Sequence, residues 1–120
     1  MRHSTGKPTT AEQARFDTMK ERGECMACLL FGCQPDYPQH VEIHHLLSGG
    51  RRRGHRYSIA LCTWHHRAVV PFAFGLQEAR DTLGPSLAEG SKPFRARFGT
   101  DDELLAMQDG RIGWTGLEAA

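Results

Sequence analysis

The feature that most constrains this chain is a set of four metal-ligand residues arranged as two pairs of equal spacing. Two residues separate Cys25 from Cys28, and two residues separate Cys62 from His65. This spacing turns both side chains of a pair toward one point, and two such pairs supply the four ligands of a tetrahedral zinc ion. The sequence therefore predicts a structural Zn²⁺ site, with an apparent contribution to folding of about 10–16 kcal/mol.

The remaining cysteine leaves the ligand set open. Cys33 lies between the two pairs. It can replace one of the four ligands, or it can be a small residue of the core, which is the interpretation that we favour. Buried, inert cysteines with a coincidental His65 are the alternative to a metal site. A disulfide framework is disfavoured because nothing in the sequence indicates secretion.

The length of 120 residues predicts a single domain. Only 39% of the residues are hydrophobic and the mean hydropathy is −0.50, so a bound metal would compensate for a thin core. No apolar run approaches the roughly 18 residues that a membrane span needs. The N-terminal sequence also lacks the apolar stretch of a secretory signal. We therefore expect a soluble, cytoplasmic protein with no membrane partner.

Positive charge is concentrated in the middle of the chain, although the net charge is only +1. Residues 25–70 contain five arginines and two acidic residues, a local charge of +3. Such an excess favours a phosphate-rich partner, and a solvated loop is the alternative. The residues predicted to contact DNA are Arg51, Arg52, Arg53, Arg56 and Arg67.

Caps, apolar spacing and turn residues predict a mixed α+β fold. A first helix is expected to begin at a capping box on Thr9 or Thr10 and to end at Gly23. The further predicted elements are strands at 41–47 and 57–61, a basic loop at 51–53 between them, helices at 62–67 (stopped or kinked by Pro71), 77–83 and from Thr100, and an irregular segment at 91–99. We expect a flexible arm at residues 1–9, one zinc-stabilised domain at residues 10–109 and a loose tail at residues 110–120.

Between residues 44 and 66, four histidines remain besides the predicted ligand His65: His44, His45, His55 and His66. Hydrolysis of a phosphodiester needs a base that activates water and a cation that stabilises the developing charge. Neighbouring strand residues point to opposite faces, so His44 and His45 can serve one site only where their strand ends. The turn residues at 48–50 favour such an end. Packed, hydrogen-bonded histidines are the alternative.

The order Cys-x2-Cys, His-His, basic loop and Leu-Cys-x2-His-His resembles that of HNH nucleases. This resemblance implies an α+β domain with a ββα-metal core and a zinc knuckle, flanked by short helices. By the same resemblance, His44 and His66 would bind a catalytic Mg²⁺ or Mn²⁺, and His45 would be the general base. His65 stands where zinc-ribbon members carry their last zinc ligand, commonly a cysteine.

The chain departs from the HNH pattern at its middle position. The asparagine of that pattern would fall near Tyr57, and the chain contains no asparagine. Either its orienting role passes to a backbone group, or His55 has some other role in its place. His55 is therefore interpreted as a metal or phosphate contact, with a structural hydrogen bond as the alternative. Trp64 is expected to be a core residue and not a platform for stacking bases.

Three stretches resemble the Ref family, phage recombination-enhancement nucleases that depend on the bacterial RecA recombinase. These stretches are residues 44–55, 61–67 and 84–94, within a similarity that covers roughly residues 10–109. The resemblance implies a DNA endonuclease acting on single-stranded DNA or displacement loops, with a RecA-type filament as partner. It also implies a phage or prophage origin and a bacterial cytoplasmic location.

Two other classes of protein remain open from the residues. The chain can be a non-catalytic, zinc-stapled module that binds DNA or a recombinase filament, with structural histidines. It can also be a zinc-stabilised protein-interaction domain, in which case the arginines would not affect DNA binding. The effect of replacing His45 separates the nuclease from the binding module, because only the nuclease has metal-dependent cleavage to lose.

Overall fold

The computed structural model describes residues 6–115, which contain six α-helices, four short strands and one 3₁₀ turn. The predicted α+β class is confirmed. In chain order the elements are α1 (Thr10–Arg22), α2 (Met26–Phe31), β1 (Glu42–His45), β2 (Leu47–Ser48), β3 (Arg51–Arg52), β4 (Ser58–Leu61), α3 (Thr63–Arg67), α4 (Leu76–Leu83), the 3₁₀ turn (Leu87–Glu89), α5 (Ser91–Phe98) and α6 (Asp101–Ile112).

The strands form two antiparallel pairs, one nested inside the other. β1 pairs with β4, so that His44 lies opposite Ile59 and His45 opposite Ser58. Within this hairpin β2 pairs with β3, and the turn that joins them is made by Gly49 and Gly50, both with positive φ. Two consecutive positive φ angles match the right-handed twist of a tight hairpin. All four residues of β4 are buried, and α3 follows β4 directly.

Helix α1 begins and ends at residues that the sequence indicates. The side chain of Thr9 accepts from the backbone N–H of Glu12, whose carboxylate accepts from the N–H of Thr9. Of the two candidate threonines, Thr9 is therefore the N-cap. Gly23 ends the helix with φ 56°, and a Cβ there would lie 2.6 Å from the backbone of Gln39. Only glycine fits this close approach.

The core lies between β4 and helices α1, α2, α3 and α6. Its largest fully buried apolar side chains include Met19, Met26 and Trp64. The indole Nε1 of Trp64 donates to the carbonyl of Gly84 at 3.0 Å, so its polar atom is satisfied inside the protein. The prediction that Trp64 is a core residue is confirmed.

A charged side chain is also part of this core. The guanidinium of Arg15 donates to Ser58 Oγ at 2.7 Å, to the Ser58 carbonyl at 2.8 Å and to Asp109 Oδ1 at 2.9 Å. These contacts offset the desolvation of a residue that is 2% exposed. Arg15 thereby ties α1 and α6 to β4.

Several predicted elements differ from the observed ones. Residues 91–99 are not irregular, because Phe94 and Phe98, four residues apart, are buried on one face of α5. The expected basic loop contains β3, formed by Arg51–Arg52. Helix α3 ends before Pro71, since Ala68 adopts a left-handed conformation.

Parts of the predicted flexible arm and loose tail make defined structure. Helix α6 begins at the predicted Thr100 capping box and continues through residues 110–112. At the other end, the carbonyl of Gly6 contacts the ring of His55. Residues 1–5 of the predicted arm and 116–120 of the predicted tail lie outside the described residues. Between residues 6 and 115, no helix combines the length and the apolar character needed to cross a membrane.

Candidate functional site: a cysteine–histidine cluster and a histidine-bearing hairpin

Two helix starts bring the four predicted zinc ligands together. Cys25 is the N-cap of α2 and Cys62 the N-cap of α3, while Cys28 and His65 lie in the first turns of these helices. Each cap sulfur accepts a backbone N–H from its own pair: that of Cys28 at 3.4 Å and that of His65 at 3.5 Å. The four ligand atoms lie within 4.8 Å of one another in the buried interior.

The distances within this cluster fit a tetrahedral zinc ion. Zinc bonds of about 2.3 Å to sulfur and about 2.1 Å to nitrogen place two sulfurs about 3.8 Å apart and a sulfur and a nitrogen about 3.6 Å apart. The Sγ atoms of Cys28 and Cys62 are 3.8 Å apart. Nδ1 of His65 is 3.5, 3.5 and 3.3 Å from the sulfurs of Cys25, Cys28 and Cys62. The cluster can therefore hold zinc.

Hydrogen bonding prepares His65 as a ligand. Nε2 of His65 lies 2.7 Å from the carbonyl of Leu83. Since a carbonyl only accepts, Nε2 carries the proton and Nδ1 presents its lone pair to the sulfurs. Burial raises the pKa of the Cys25 thiol to about 12, so ionising this thiol calls for a compensating cation. Cys33 is not part of the cluster and packs against the core.

The last two residues of β1 carry the paired histidines to opposite faces, and β1 ends there as the turn residues indicate. The ring of His44 faces that of His66 on α3, with ring centroids 5.3 Å apart. Burial, followed by the charge of His66, lowers the pKa of His44 to about 4. A neutral imidazole is the form that binds a metal.

Glu42 fixes the orientation of His66. Its Oε1 lies 2.8 Å from Nδ1 of His66, and both of its oxygens accept from Arg67. The hydrogen bond from Arg67 holds the pKa of Glu42 at about 2. An ionised carboxylate only accepts, so Nδ1 of His66 is the donor, and in the neutral ring Nε2 carries the lone pair. His66 is thereby arranged as a metal ligand is in proteins, with a carboxylate behind it.

On the other face of the hairpin, His45 contacts His55 and Phe16. Nε2 of His45 lies 3.0 Å from Nδ1 of His55, and both rings make T-shaped contacts with Phe16. Burial, followed by the charge of Arg52, lowers the pKa of His45 to about 4. His55 is 7% exposed, and both of its ring nitrogens have hydrogen-bond partners.

The five arginines predicted to contact DNA fall into two groups. Arg51 and Arg52 are exposed on β3. The other three contact neighbouring side chains. Arg53 forms an ion pair with Asp102. The guanidinium groups of Arg53 and Arg56 both lie over the ring of Tyr57. Arg67 forms an ion pair with Glu42.

Two residues of this site, Glu42 and Gly6, were not predicted from the sequence. Glu42 carries a detectable signal, because it lies two residues before His44 and therefore on the same face of a strand. Gly6 carries none, since it acts through its backbone carbonyl.

These observations define an α+β domain with a Cys₃His cluster suited to zinc and a histidine-bearing hairpin packed on a helix. A family model described as "Recombination enhancement, RecA-dependent nuclease" matches residues 9–112. The chain belongs to this family, as the resemblance to the Ref family indicated, and the family is one of nucleases that act in a RecA context. Comparison with curated proteins gives no match.

Proposed function

We propose that this protein is a DNA endonuclease of the HNH type that hydrolyses phosphodiester bonds. The observation that carries the proposal is the pairing of His44 and His66, with ring centroids 5.3 Å apart where β1 packs on α3. Strand β1, strand β4 and helix α3 follow the order that a ββα-metal core requires. Glu42 adds the hydrogen bond that orients His66 for metal binding.

His45 is the proposed general base. It lies at the end of β1, next to His44 in the chain. The proposal requires that a phosphodiester crossing the strand end reach both side chains. Its depressed pKa of about 4 keeps the ring unprotonated and able to accept a proton from water at neutral pH. Among residues 6–115, no side chain or backbone group hydrogen-bonds its Nδ1, which leaves that atom for the attacking water.

His44 and His66 would hold the catalytic divalent cation. When bound, Mg²⁺ or Mn²⁺ stabilises charge on the phosphate and on the leaving 3′ oxygen. Two protein ligands leave coordination positions for water and phosphate oxygens, as Mg²⁺ prefers. Arg51 and Arg52 would contact neighbouring phosphates, together with Arg53, Arg56 and Arg67. Such contacts carry little information about sequence, so we expect low base specificity.

Zinc at Cys25, Cys28, Cys62 and His65 has a structural role in this proposal. Its four ligands are at most 8% exposed, so they offer no open position to a substrate. The ion would fix α2 against α3 and so support the helix that carries His66. The proposed substrate is single-stranded DNA or a displacement loop associated with a RecA filament, because the family is described as RecA-dependent.

The test is strand cleavage by the zinc-loaded protein. Wild type, His45→Ala and the exposed control His40→Ala are incubated with Mg²⁺ and either single-stranded DNA or a displacement loop, with and without RecA. We expect RecA-dependent cleavage by wild type and His40→Ala, and none by His45→Ala. Cleavage without RecA would retain the nuclease and remove the dependence. Intact DNA binding without cleavage in every reaction would instead identify a binding module.

A further inference from the structure

We propose that His55 is a positioning residue for the base: it holds His45 as the tautomer whose Nδ1 accepts the proton from water. The inference rests on the proposed nuclease function. His55 would accept a hydrogen bond from Nε2–H of His45 and would donate one from its own Nε2–H to the carbonyl of Gly6. It is thus assigned neither to the metal nor to the phosphate.

The direction of both hydrogen bonds in the series His45–His55–Gly6 follows from the last acceptor, the carbonyl oxygen of Gly6. Nε2 of His55 lies 2.7 Å from the carbonyl oxygen of Gly6, and a carbonyl oxygen only accepts. Nε2 of His55 is therefore protonated. In the neutral ring the other nitrogen, Nδ1, is an acceptor. The 3.0 Å contact then requires that His45 donate from Nε2, which leaves the lone pair on Nδ1 of His45.

The surroundings hold His55 rigidly enough for this role. Its ring lies edge-on to Phe16, with centroids 5.7 Å apart, and its own carbonyl accepts from Ser58 Oγ at 2.7 Å. Ser58 is in turn fixed by the guanidinium of Arg15 and lies opposite His45 in the strand pair. His45 and His55 are therefore both anchored to β4. A base whose tautomer is fixed in advance needs no reorientation during the reaction.

Two substitutions separate the two hydrogen bonds of His55. Asparagine carries its amide at about the distance of Nδ1 and can accept from His45, whereas glutamine reaches the position of Nε2 and can donate only to Gly6. We expect His55→Gln to lower kcat by about 10–100-fold with KM for DNA and zinc content unchanged. His55→Asn should retain most of the wild-type kcat. His40→Gln, at an exposed histidine, is the matched control.

A spectroscopic readout tests the tautomer without any cleavage. Long-range ¹H–¹⁵N correlation spectra of the zinc-loaded full chain at pH 8 report which nitrogen of each ring is protonated. We expect protonated Nε2 and bare Nδ1 on both His45 and His55, with mixed tautomers for His45 in His55→Gln. A bare Nε2 on His45, or a doubly protonated His55, would overturn the proposal.

The two readouts distinguish the failure of this inference from that of the proposed function. An active wild type with an equally active His55→Gln variant contradicts the positioning role and leaves the nuclease intact. A wild type that binds DNA and cleaves none under any condition contradicts the nuclease itself. In that case the spectra still decide whether His55 fixes the tautomer of His45.

Discussion

Nδ1 of His66 hydrogen-bonds to Oε1 of Glu42 at 2.8 Å, joining the start of β1 to helix α3. The same carboxylate accepts from both Nε and Nη2 of the next residue, Arg67. One acidic side chain thus sets the tautomer of His66 and pairs with Arg67, one of the five arginines predicted to contact DNA. This arrangement makes Glu42 the most informative position for testing the proposed catalytic metal site.

Replacing Glu42 should weaken the binding of the catalytic cation. Glu42→Gln keeps an acceptor for His66 but loses the charge, and Glu42→Ala loses both. Outer-shell partners of metal ligands contribute about 10–100-fold in metal affinity or activity. We expect the Mg²⁺ or Mn²⁺ concentration for half-maximal cleavage to rise by that factor in Glu42→Ala and by less in Glu42→Gln. Glu21→Gln, at an exposed position, is the control. If Glu42→Ala needed the same metal concentration as the wild type, Glu42 would not support the catalytic metal site.

Loss of zinc should unfold the domain. Chelation or Cys28→Ser removes a ligand set whose apparent contribution to folding is about 10–16 kcal/mol, more than the stability of a typical domain. Cys33→Ser is the matched control, because Cys33 lies outside the cluster and is only partly buried. Zinc content by mass spectrometry of the native protein, together with thermal unfolding, checks both variants. If Cys33→Ser lost the metal, the ligand set would be wrong.

The exposed arginines of β3 should control the salt dependence of DNA binding. Each phosphate contact on a single strand contributes about 0.7 to the slope of log affinity against log salt. We expect Arg51→Ala and Arg52→Ala each to reduce that slope by about this amount and to weaken binding to all sequences alike. Fluorescence anisotropy at several salt concentrations measures it. Arg80→Ala, which removes one charge from α4, should leave the slope unchanged, and an unchanged slope in the β3 variants would exclude these contacts.

The pH dependence of cleavage should show the depressed pKa of His45. A general base works unprotonated, and burial lowers the pKa of His45 from 6.5 to about 4, so the active form persists as the pH falls below neutrality. A cation bound nearby shifts this pKa further in the same direction. Single-turnover rates at saturating Mg²⁺ should fall less than twofold between pH 7.5 and pH 5.5. An unperturbed histidine would lose about tenfold over the same range.

The control for the pH experiment is zinc content and DNA affinity at each pH, since both must stay constant for the rate to report on the base. A steep decline in rate centred near pH 6.5, with zinc and DNA still bound, would show that the pKa of His45 is not lowered or that His45 is not the general base.

The sequence predicted those parts of the site that depend on local spacing. Each pair of zinc ligands lies in one short turn, so the sequence alone predicts both pairs, Cys25 with Cys28 and Cys62 with His65. Capping boxes likewise predicted the start of α6 and narrowed that of α1 to two threonines. Local chemistry decides such features without reference to the rest of the fold.

Features that join distant segments were not predictable in this way. The burial of Arg15 depends on Asp109 and Ser58, and the role of Glu42 depends on how α3 packs against β1. Helix α5 was missed because Gly90, Pro93 and Gly99 suggest a loop. Its stability comes from burying Phe94 and Phe98, a tertiary effect that local propensity does not contain.

The contact between Arg15 and Asp109 has a consequence for how the protein is made. The two residues are 94 positions apart. At about 5–20 residues per second, Asp109 leaves the ribosome about 5–20 seconds after Arg15. Until then, packing the guanidinium beneath β4 would bury a charge without its acidic partner. We therefore expect the hairpin that carries His45 to pack stably against α1 only after α6, which supplies Asp109, has been synthesised.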